Sequence, residues 1–196
     1  MTRFKVNTGC REQEVCQLRW EWEEYVPSLM TSVFIVPSHI SRDGELRQLV
    51  KNGEDRLIIL NDEAKAVIEE VRGTHSEYVF SYNGHPVTRM NNTAWRNARK
   101  KINLNDLRVH DLKHTFGRRL RAVNVSYEDR QDLLGHRSGR ITTHYSQAEL
   151  SNLLGAANAV IQSKHENKEL TILRIKRGDC HGIPTKAPQE KIGAVG

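Results

Sequence analysis

Apolar side chains recur at helical spacing near the start of the chain. Val15, Leu18 and Trp22 fall on one face of a helix, so the pattern predicts a single amphipathic helix from about residue 8 to residue 22. Arg11 would then lie on the exposed surface of that helix, where an arginine is ordinarily solvated or paired with a nearby glutamate. Its position alone therefore says little about function.

Two apolar, β-branched runs predict strands in the next part of the chain. They span residues 32–36 and 56–60. Asn52-Gly53 lies between them and is a strong hairpin-turn signal, because such turns need residues that tolerate positive φ angles. We therefore expect Lys51 at the tip of a hairpin. Residues 41–48 lengthen the approach to that hairpin.

The following sequence is predicted to be mainly helical up to residue 162. Caps and apolar spacing predict helices that begin after Asn61, around residues 95–102, around residues 112–120, from the Ser126-x-x-Asp129 capping box to Gly135, and from the Ser146-x-x-Glu149 capping box onward. Tyr145 therefore lies immediately before the last predicted helix.

Glycines and prolines interrupt the sequence after about residue 163, and no periodicity is sustained there. This change divides the chain into one predicted domain, residues 1–162, and a predicted disordered tail, residues 163–196. The pattern of elements in the domain favours a mixed α+β fold, mainly helical, with a small antiparallel β-sheet.

The composition adds a moderately basic charge to this picture. Thirty Lys and Arg residues against 24 Asp and Glu residues give a net charge of +6 and a pI near 9.3, which favours a polyanionic partner without establishing one. Three irregularly spaced cysteines argue against a disulfide framework and fit a reducing cytoplasm. We expect neither a membrane span nor export, because no apolar run is long enough and no signal-peptide core follows the first residues.

Four separated segments place phosphate-binding or nucleophilic groups along the chain. They are residues 7–15 with Arg11 and Glu14, Lys51 beside Asn52-Gly53, His110-Asp-Leu-Lys113, and Leu133-Leu-Gly-His136 followed by Tyr145. The transition state of phosphoryl transfer spreads negative charge over the non-bridging oxygens, and one guanidinium can donate to two of them. Arg11 is the first candidate for such a donor.

The order and spacing of these segments resemble the tyrosine recombinase, or phage integrase, family. That family shows Thr-Gly-x-Arg-x-x-Glu, a hairpin lysine, His-x-x-Arg, Leu-Gly-His and then a tyrosine. All five landmarks occur here in order, the third with lysine in place of the arginine. The resemblance covers about residues 5 to 155 and implies the catalytic-domain fold of that family. We expect the chain to lack the N-terminal core-binding domain, which has no room before Thr8.

The resemblance implies that Tyr145 attacks a scissile phosphodiester and forms a covalent 3′-phosphotyrosyl link. A second DNA 5′-hydroxyl would then reverse the step, giving site-specific recombination such as integration or excision of a phage or mobile element. The resemblance implies no metal and no other cofactor for this chemistry.

The resemblance also assigns the other catalytic residues their roles. Arg11 would hold the phosphate, and Lys51 would protonate the leaving 5′-oxygen. His110 and His136 would bond to the phosphate and assist proton transfer near the nucleophile, as suits side chains that titrate near neutral pH. Glu14 would support the site by orienting the turn that carries Arg11 or a neighbouring histidine.

Double-stranded DNA is the partner that the resemblance implies, and a tetramer would form on it. Accessory DNA-bending proteins are possible additional partners. The implied location is the bacterial cytoplasm. Contacts with the DNA backbone are predicted for a set of basic residues on two helices, which would position the DNA without reading its sequence. The set is Arg96, Arg99, Lys100, Arg118, Arg119 and Arg121.

Lys113 departs from the family pattern, because this position usually holds the second arginine. Lysine keeps the positive charge but replaces a rigid two-pronged donor with one flexible ammonium. A nearby arginine such as Arg118 could compensate. Together with the truncated start, the lysine motivates an alternative function, a catalytically impaired DNA-binding remnant of an integrase.

Two further alternatives stay open at the level of sequence. A type IB topoisomerase uses similar residues, although the compact spacing from His136 to Tyr145 favours a recombinase. His110 and His114 are four residues apart on a predicted helix, a spacing that can bind zinc, and His136 and His144 could add ligands. A hydrolytic zinc site would need a glutamate after the first histidine, where the chain has Asp111, so we predict no metal site.

Overall fold

The computed structural model describes residues 1–42, 44–136 and 145–162. Within these ranges the helices are α1 (Thr2–Thr8), α2 (Glu12–Cys16), α3 (Asp62–Val71), α4 (Thr93–Lys101), α5 (Asp111–Ala122), α6 (Tyr127–Leu134) and α7 (Gln147–Gln162). The strands are β1 (Glu23–Val26), β2 (Thr31–Val36), β3 (His39–Arg42), β4 (Glu45–Gln48), β5 (Arg56–Ile59), β6 (Ser81–Tyr82) and β7 (His85–Pro86). The predicted tail, residues 163–196, lies outside the described residues.

The strands form one three-stranded sheet and two separate pairs. The sheet has the order β1-β2-β5 and is antiparallel, with Val33 opposite Ile59 and Phe34 opposite Ile58. β3 pairs with β4, and β6 pairs with β7, both antiparallel. These elements confirm the prediction of a mainly helical α+β fold with a small antiparallel sheet.

Two apolar clusters divide the core between them. Phe34 and Ile58 belong to the first cluster, together with side chains from α1 and α3. Their neighbours Val33 and Ile59 belong to the second cluster, together with side chains from α5, α6 and α7. Successive residues of a strand point to opposite faces of a sheet, so this alternation places the two clusters on opposite faces of the β2-β5 pair. The sheet thereby fixes the helices that carry the candidate chemistry.

The prediction of one helix from residue 8 to residue 22 is wrong. α1 ends at Thr8, and Gly9 takes a left-handed conformation with φ 65°. A β-carbon at Gly9 would lie 2.7 Å from Phe116 Cδ1, so both the backbone angle and the space require glycine. Arg11 is extended and caps the N-terminus of α2, rather than lying on an exposed helix surface.

The prediction that Lys51 lies at a hairpin tip is also wrong. β4 pairs with β3, while β5 pairs with β2, so no pairing joins the strands on either side of Lys51. The turn signal itself is correctly located, because Gly53 has a φ of 76°. Lys51 lies in a turn that connects the β3-β4 pair to the three-stranded sheet.

Of the two predicted capping boxes, the one at α7 has both of its reciprocal bonds, and the one at α6 has the serine cap without the reciprocal bond to the serine amide. Ser126 Oγ accepts a hydrogen bond from the Asp129 amide at 3.0 Å, and α6 ends at a left-handed Gly135. Ser146 and Glu149 cap α7 reciprocally, with bonds of 3.2 Å and 2.7 Å. His136 therefore follows α6 directly, and Tyr145 precedes α7.

Gly9→Ala should destabilise the fold by more than the backbone strain alone. The comparison is Gly73→Ala, because Gly73 has a similar φ of 81° but nothing within 4 Å of an added β-carbon. Backbone strain costs about 1–2 kcal/mol at each site, and the contact with Phe116 should add roughly 1–3 kcal/mol at Gly9 only. Urea unfolding of both variants measures the difference, and equal losses would contradict this account of the break.

Candidate active site

A cleft of about 570 Å³ is lined mainly by residues of α5 and α6. It brings together five of the six residues predicted to be catalytic, from four distant parts of the chain. These five are Arg11, Lys51, His110, Lys113 and His136. Gln131, Arg130 and Tyr127 also line the cleft, and none of them was singled out from the sequence.

Tyr145, the sixth predicted residue, lies in a smaller recess beside the cleft. The recess has a volume of about 50 Å³, and its lining includes Tyr145, Arg56 and Gly135. His136 lines both the recess and the cleft, so it lies between the tyrosine and the cationic groups. The Tyr145 side chain is partly exposed, as a nucleophile that must reach an external substrate requires.

Three cationic side chains converge on the C-terminus of α6. Each donates a hydrogen bond to one of three successive backbone carbonyls, which a helix leaves without partners at this end. The bonds run from Arg56 Nη2 to Leu133 O at 3.0 Å, from Lys113 Nζ to Leu134 O at 2.5 Å, and from Arg11 Nη2 to Gly135 O at 3.2 Å. The negative end of the helix dipole favours cations here.

Glu14 is fully buried beneath these cations and bonds to two of them. Its Oε1 accepts from Arg11 Nη1 at 2.8 Å, and its Oε2 accepts from the Arg11 amide at 2.7 Å and pairs with Arg56 Nε at 3.2 Å. Burial alone would raise the pKa of Glu14, but Arg56 and then the bonds from Arg11 outweigh burial and hold the pKa below its usual value. Glu14 therefore holds both the backbone amide and the guanidinium of Arg11 in place.

Burial and neighbouring cations change the protonation of Lys113. Burial is the larger cause, and repulsion by Arg56 and Arg11 adds to it, so that the pKa of Lys113 falls to about 7. An ordinary lysine stays charged at neutral pH, whereas this ammonium is close to losing its proton there. A bound anion would favour the charged form.

The two histidines of the cleft respond to the same surroundings. Burial, followed by repulsion from His114, lowers the pKa of His110. Burial, followed by repulsion from Lys113 and Arg11, lowers the pKa of His136. His136 Nδ1 lies 2.9 Å from Gln131 Oε1, which orients the ring. The lowered pKa values favour the neutral form of both imidazoles at pH 7, in which a ring nitrogen can accept a proton.

The six basic residues predicted to contact DNA do not share one environment. Arg118 and Arg121 are exposed and line the cleft, and Arg96 and Lys100 are exposed on α4. The other two residues, Arg99 and Arg119, form hydrogen bonds with backbone carbonyls of the protein. Arg99 donates to Asn105 O and Leu107 O, both at 2.7 Å, and Arg119 donates to Val6 O and Val160 O. Arg119 is not among the residues that line the cleft.

Arg56 is a further residue beside the cleft that was not predicted from the sequence. It is the first residue of an apolar strand, and in the sequence it has the pattern of a polar residue at the end of a strand. The available signal is its register: Arg56 and Ile58 are two residues apart and therefore point to the same face of β5, and Ile58 is in the core. A charged residue on the same strand face as core residues is itself expected to be buried, and a buried charge needs partners.

No helix within the described ranges is both long enough and apolar enough to cross a membrane. Among the same residues, no cluster of three or more His, Cys, Asp or Glu side chains has an arrangement suited to a metal ion. Cys10 and Cys16 are buried free thiols.

A family model described as the phage integrase family matches residues 1–151 of the chain. Among individual relatives, the integrase of Salmonella phage P22 is 25% identical over 173 residues, which cover 82% of this chain and 41% of the relative. The chain thus spans less than half of the length of that integrase.

Solved structures of the Tn1549 transposon integrase share the fold. Its complex with transposon right end DNA matches with a TM-score of 0.55 and 19% identity, over 84% of this chain and 57% of that one. Its complex with circular intermediate DNA matches with a TM-score of 0.53 and 21% identity, over 78% and 58% of the two chains. These matches confirm the predicted catalytic-domain fold.

The lowered pKa of Lys113 predicts a specific dependence of stability on pH. Between about pH 7 and the ordinary lysine value of 10.5, the unfolded chain binds a proton that the folded chain has released. Stability should therefore rise with pH in this window, by up to about 1.4 kcal/mol per pH unit. Lys113→Met should remove this part of the slope.

Urea unfolding between pH 7 and pH 9 measures the slope for the parent and the variant. Lys65→Met, at a lysine on α3, is the matched control and should keep the parent slope. A slope unchanged by Lys113→Met would show that Lys113 titrates as an ordinary lysine.

Proposed function

The chain belongs to the phage integrase family, and on that premise we propose that it is the catalytic domain of a tyrosine recombinase that cuts and rejoins DNA. One observation carries the proposal. Arg11, Lys51, His110, Lys113 and His136 come from separated segments and line a single cleft, and Tyr145 lies in the recess beside it. The expected reaction is site-specific recombination in the integration or excision of a phage or mobile element.

The charge of the cleft supports a phosphate as the group that it binds. Arg11 and Lys51 line the cleft, and Lys113 becomes a third cation there when it is protonated. Glu14 is the carboxylate beneath Arg11, and it is buried. Glu14 and the Gly135 carbonyl hold the Arg11 guanidinium in position before substrate arrives, and a positive charge fixed in this way stabilises charge that develops on a phosphoryl group.

The proposed cleavage step forms one bond and breaks one bond. The Tyr145 oxygen attacks the phosphorus while its proton passes to a neutral imidazole, for which His136 is the nearer candidate. The bond from phosphorus to the 5′-oxygen breaks, and Lys51 supplies the proton that this oxygen needs. Attack by a 5′-hydroxyl on the phosphotyrosine reverses each transfer and rejoins a strand.

Double-stranded DNA is the proposed partner, and the exposed basic residues give it a surface. Arg118 and Arg121 extend the positive charge beyond the reacting phosphate, and Arg96 and Lys100 lie on another helix. Such contacts hold the DNA backbone and weaken as salt rises. A tetramer on DNA, accessory DNA-bending proteins and a bacterial cytoplasmic location stay predictions of the family resemblance.

A covalent adduct tests the proposal. The protein should form one with nicked suicide DNA substrates that bear candidate attachment sites, because loss of the short cleaved strand traps the phosphotyrosine. Tyr145→Phe should abolish the adduct, since phenylalanine has no nucleophilic oxygen. A denaturing gel measures the yield.

Two other tyrosines serve as comparisons in that assay. Tyr127 lines the cleft and is the alternative nucleophile, whereas Tyr82 is exposed and lines neither the cleft nor the recess. Phenylalanine at either position should leave the adduct intact. Loss of the adduct in Tyr127→Phe, with Tyr145→Phe active, would reject the assignment of Tyr145.

The lysine at position 113 supports a second candidate function, an impaired remnant that binds DNA without cutting it. Its pKa of about 7 means that it loses the charge that holds a phosphate as pH rises. Adduct yield should therefore fall on the alkaline side of a midpoint at or above about pH 7. Lys113→Arg should remove that fall, because a guanidinium stays charged.

The measurement is the ratio of the adduct yields of the parent and Lys113→Arg from pH 6 to pH 9. A constant ratio would contradict the role given to Lys113. If only Lys113→Arg forms an adduct at any pH, with DNA binding equal in both proteins, the impaired remnant is the better description.

A further inference from the structure

Arg56 is a buried arginine whose side chain joins three elements around the cleft. It is the first residue of β5, and its side chain is 1% exposed. Nη2 donates to Leu133 O at 3.0 Å and to Thr8 O at 3.4 Å, and Nε pairs with Glu14 at 3.2 Å. One guanidinium therefore connects the ends of α1 and α6 with α2.

These partners adjoin the two walls of the candidate site. Thr8 and Glu14 flank Arg11 in sequence, whereas Leu133 belongs to the last turn of α6, which is followed by His136. Arg11 also contacts the α6 end directly, through Gly135 O. Arg56 thus lies beneath the junction at which the Arg11 segment meets the His136 turn.

Gly135 leaves the space that Arg56 occupies. A β-carbon at Gly135 would lie 1.7 Å from Arg56 Nη1, closer than any real contact. Nη1 is buried and has no hydrogen-bond partner among the described residues. Nε is likewise buried and forms an ion pair with Glu14 without a hydrogen bond. Buried donors without hydrogen bonds are costly, so the contacts that hold this side chain in place are the hydrogen bonds of Nη2 and the ion pair with Glu14.

We propose that Arg56 is a positioning residue for DNA cleavage, which holds the turn that carries His136 against the segment that carries Arg11. This proposal rests on the proposed function. Arg56 acts through these neighbours and does not bind the phosphate itself, because its side chain is nearly inaccessible and its hydrogen bonds go to Thr8 and Leu133. A lysine in its place has one nitrogen and cannot span the same three partners.

Two variants disturb Arg56 in different ways. Arg56→Lys keeps the charge and removes the branched donor, and Gly135→Ala keeps the arginine and displaces it. Their matched controls lie away from the cleft. Arg72→Lys changes an arginine that pairs with Glu23 and Glu69, and Gly84→Ala adds the same backbone strain where nothing lies within 4 Å.

The first measurement separates chemistry from binding. The rate of adduct formation at saturating DNA should fall by about 100-fold or more in both variants, since a misplacement of about 1 Å can cost that much. Their DNA dissociation constants should stay within about threefold of the parent value at a temperature where each is folded. The controls should match the parent in both quantities. Unchanged rates at saturating DNA would overturn the proposal.

The second measurement needs no activity and therefore separates failure of this proposal from failure of the proposed function. The amides of Gly135 and His136 bond to Asp132 O and Gln131 O. Hydrogen exchange at these two amides should accelerate by about tenfold or more in both variants, with the α3 amides unchanged. Exchange that stays at the parent rate, or that rises equally in α3, would overturn the positioning role even if the parent protein forms no adduct.

Discussion

The site depends on the electrostatic contact between the end of α6 and three basic side chains, of which Arg56 and Lys113 are buried and Arg11 is partly buried. Arg56, Lys113 and Arg11 donate to three successive carbonyls, those of Leu133 and Leu134 in the last turn of α6 and of the cap residue Gly135, and Glu14 forms ion pairs with Arg11 and Arg56. Desolvating charges is expensive unless hydrogen bonds and opposite charge compensate for it. Here the helix end and Glu14 compensate in part, so the remaining positive charge is available to an incoming phosphate.

The same contact explains why the lysine at position 113 has a lowered pKa. A guanidinium would keep its charge in this surrounding, but an ammonium that is buried near Arg56 and Arg11 holds its proton weakly. The cationic cluster therefore has fewer charges without substrate than with it. Binding of an anion and protonation of Lys113 are therefore coupled, and above about pH 7 a bound anion would raise the fraction of Lys113 that carries its charge.

The sequence predicts the site better than it predicts the path of the chain. Arg11, His110 and His136 are recognisable because the motifs keep a fixed spacing, whatever the elements between them. The prediction of a single helix failed because Gly9 takes a left-handed conformation that ends α1, which the apolar spacing of Val15, Leu18 and Trp22 does not reveal. The prediction of a hairpin tip at Lys51 failed because local turn signals do not reveal which strands pair. Arg56 was missed because its partners are 42 or more residues away in sequence.

The most direct test of the account is to identify the residue that becomes attached to DNA. The adduct would be trapped on a suicide substrate, digested with nuclease and protease, and sequenced by mass spectrometry. We expect a nucleotide linked through its 3′-phosphate to Tyr145. A nucleotide on any other residue, or one linked through a 5′-phosphate, would contradict the central claim that this cleft presents a scissile phosphate to Tyr145.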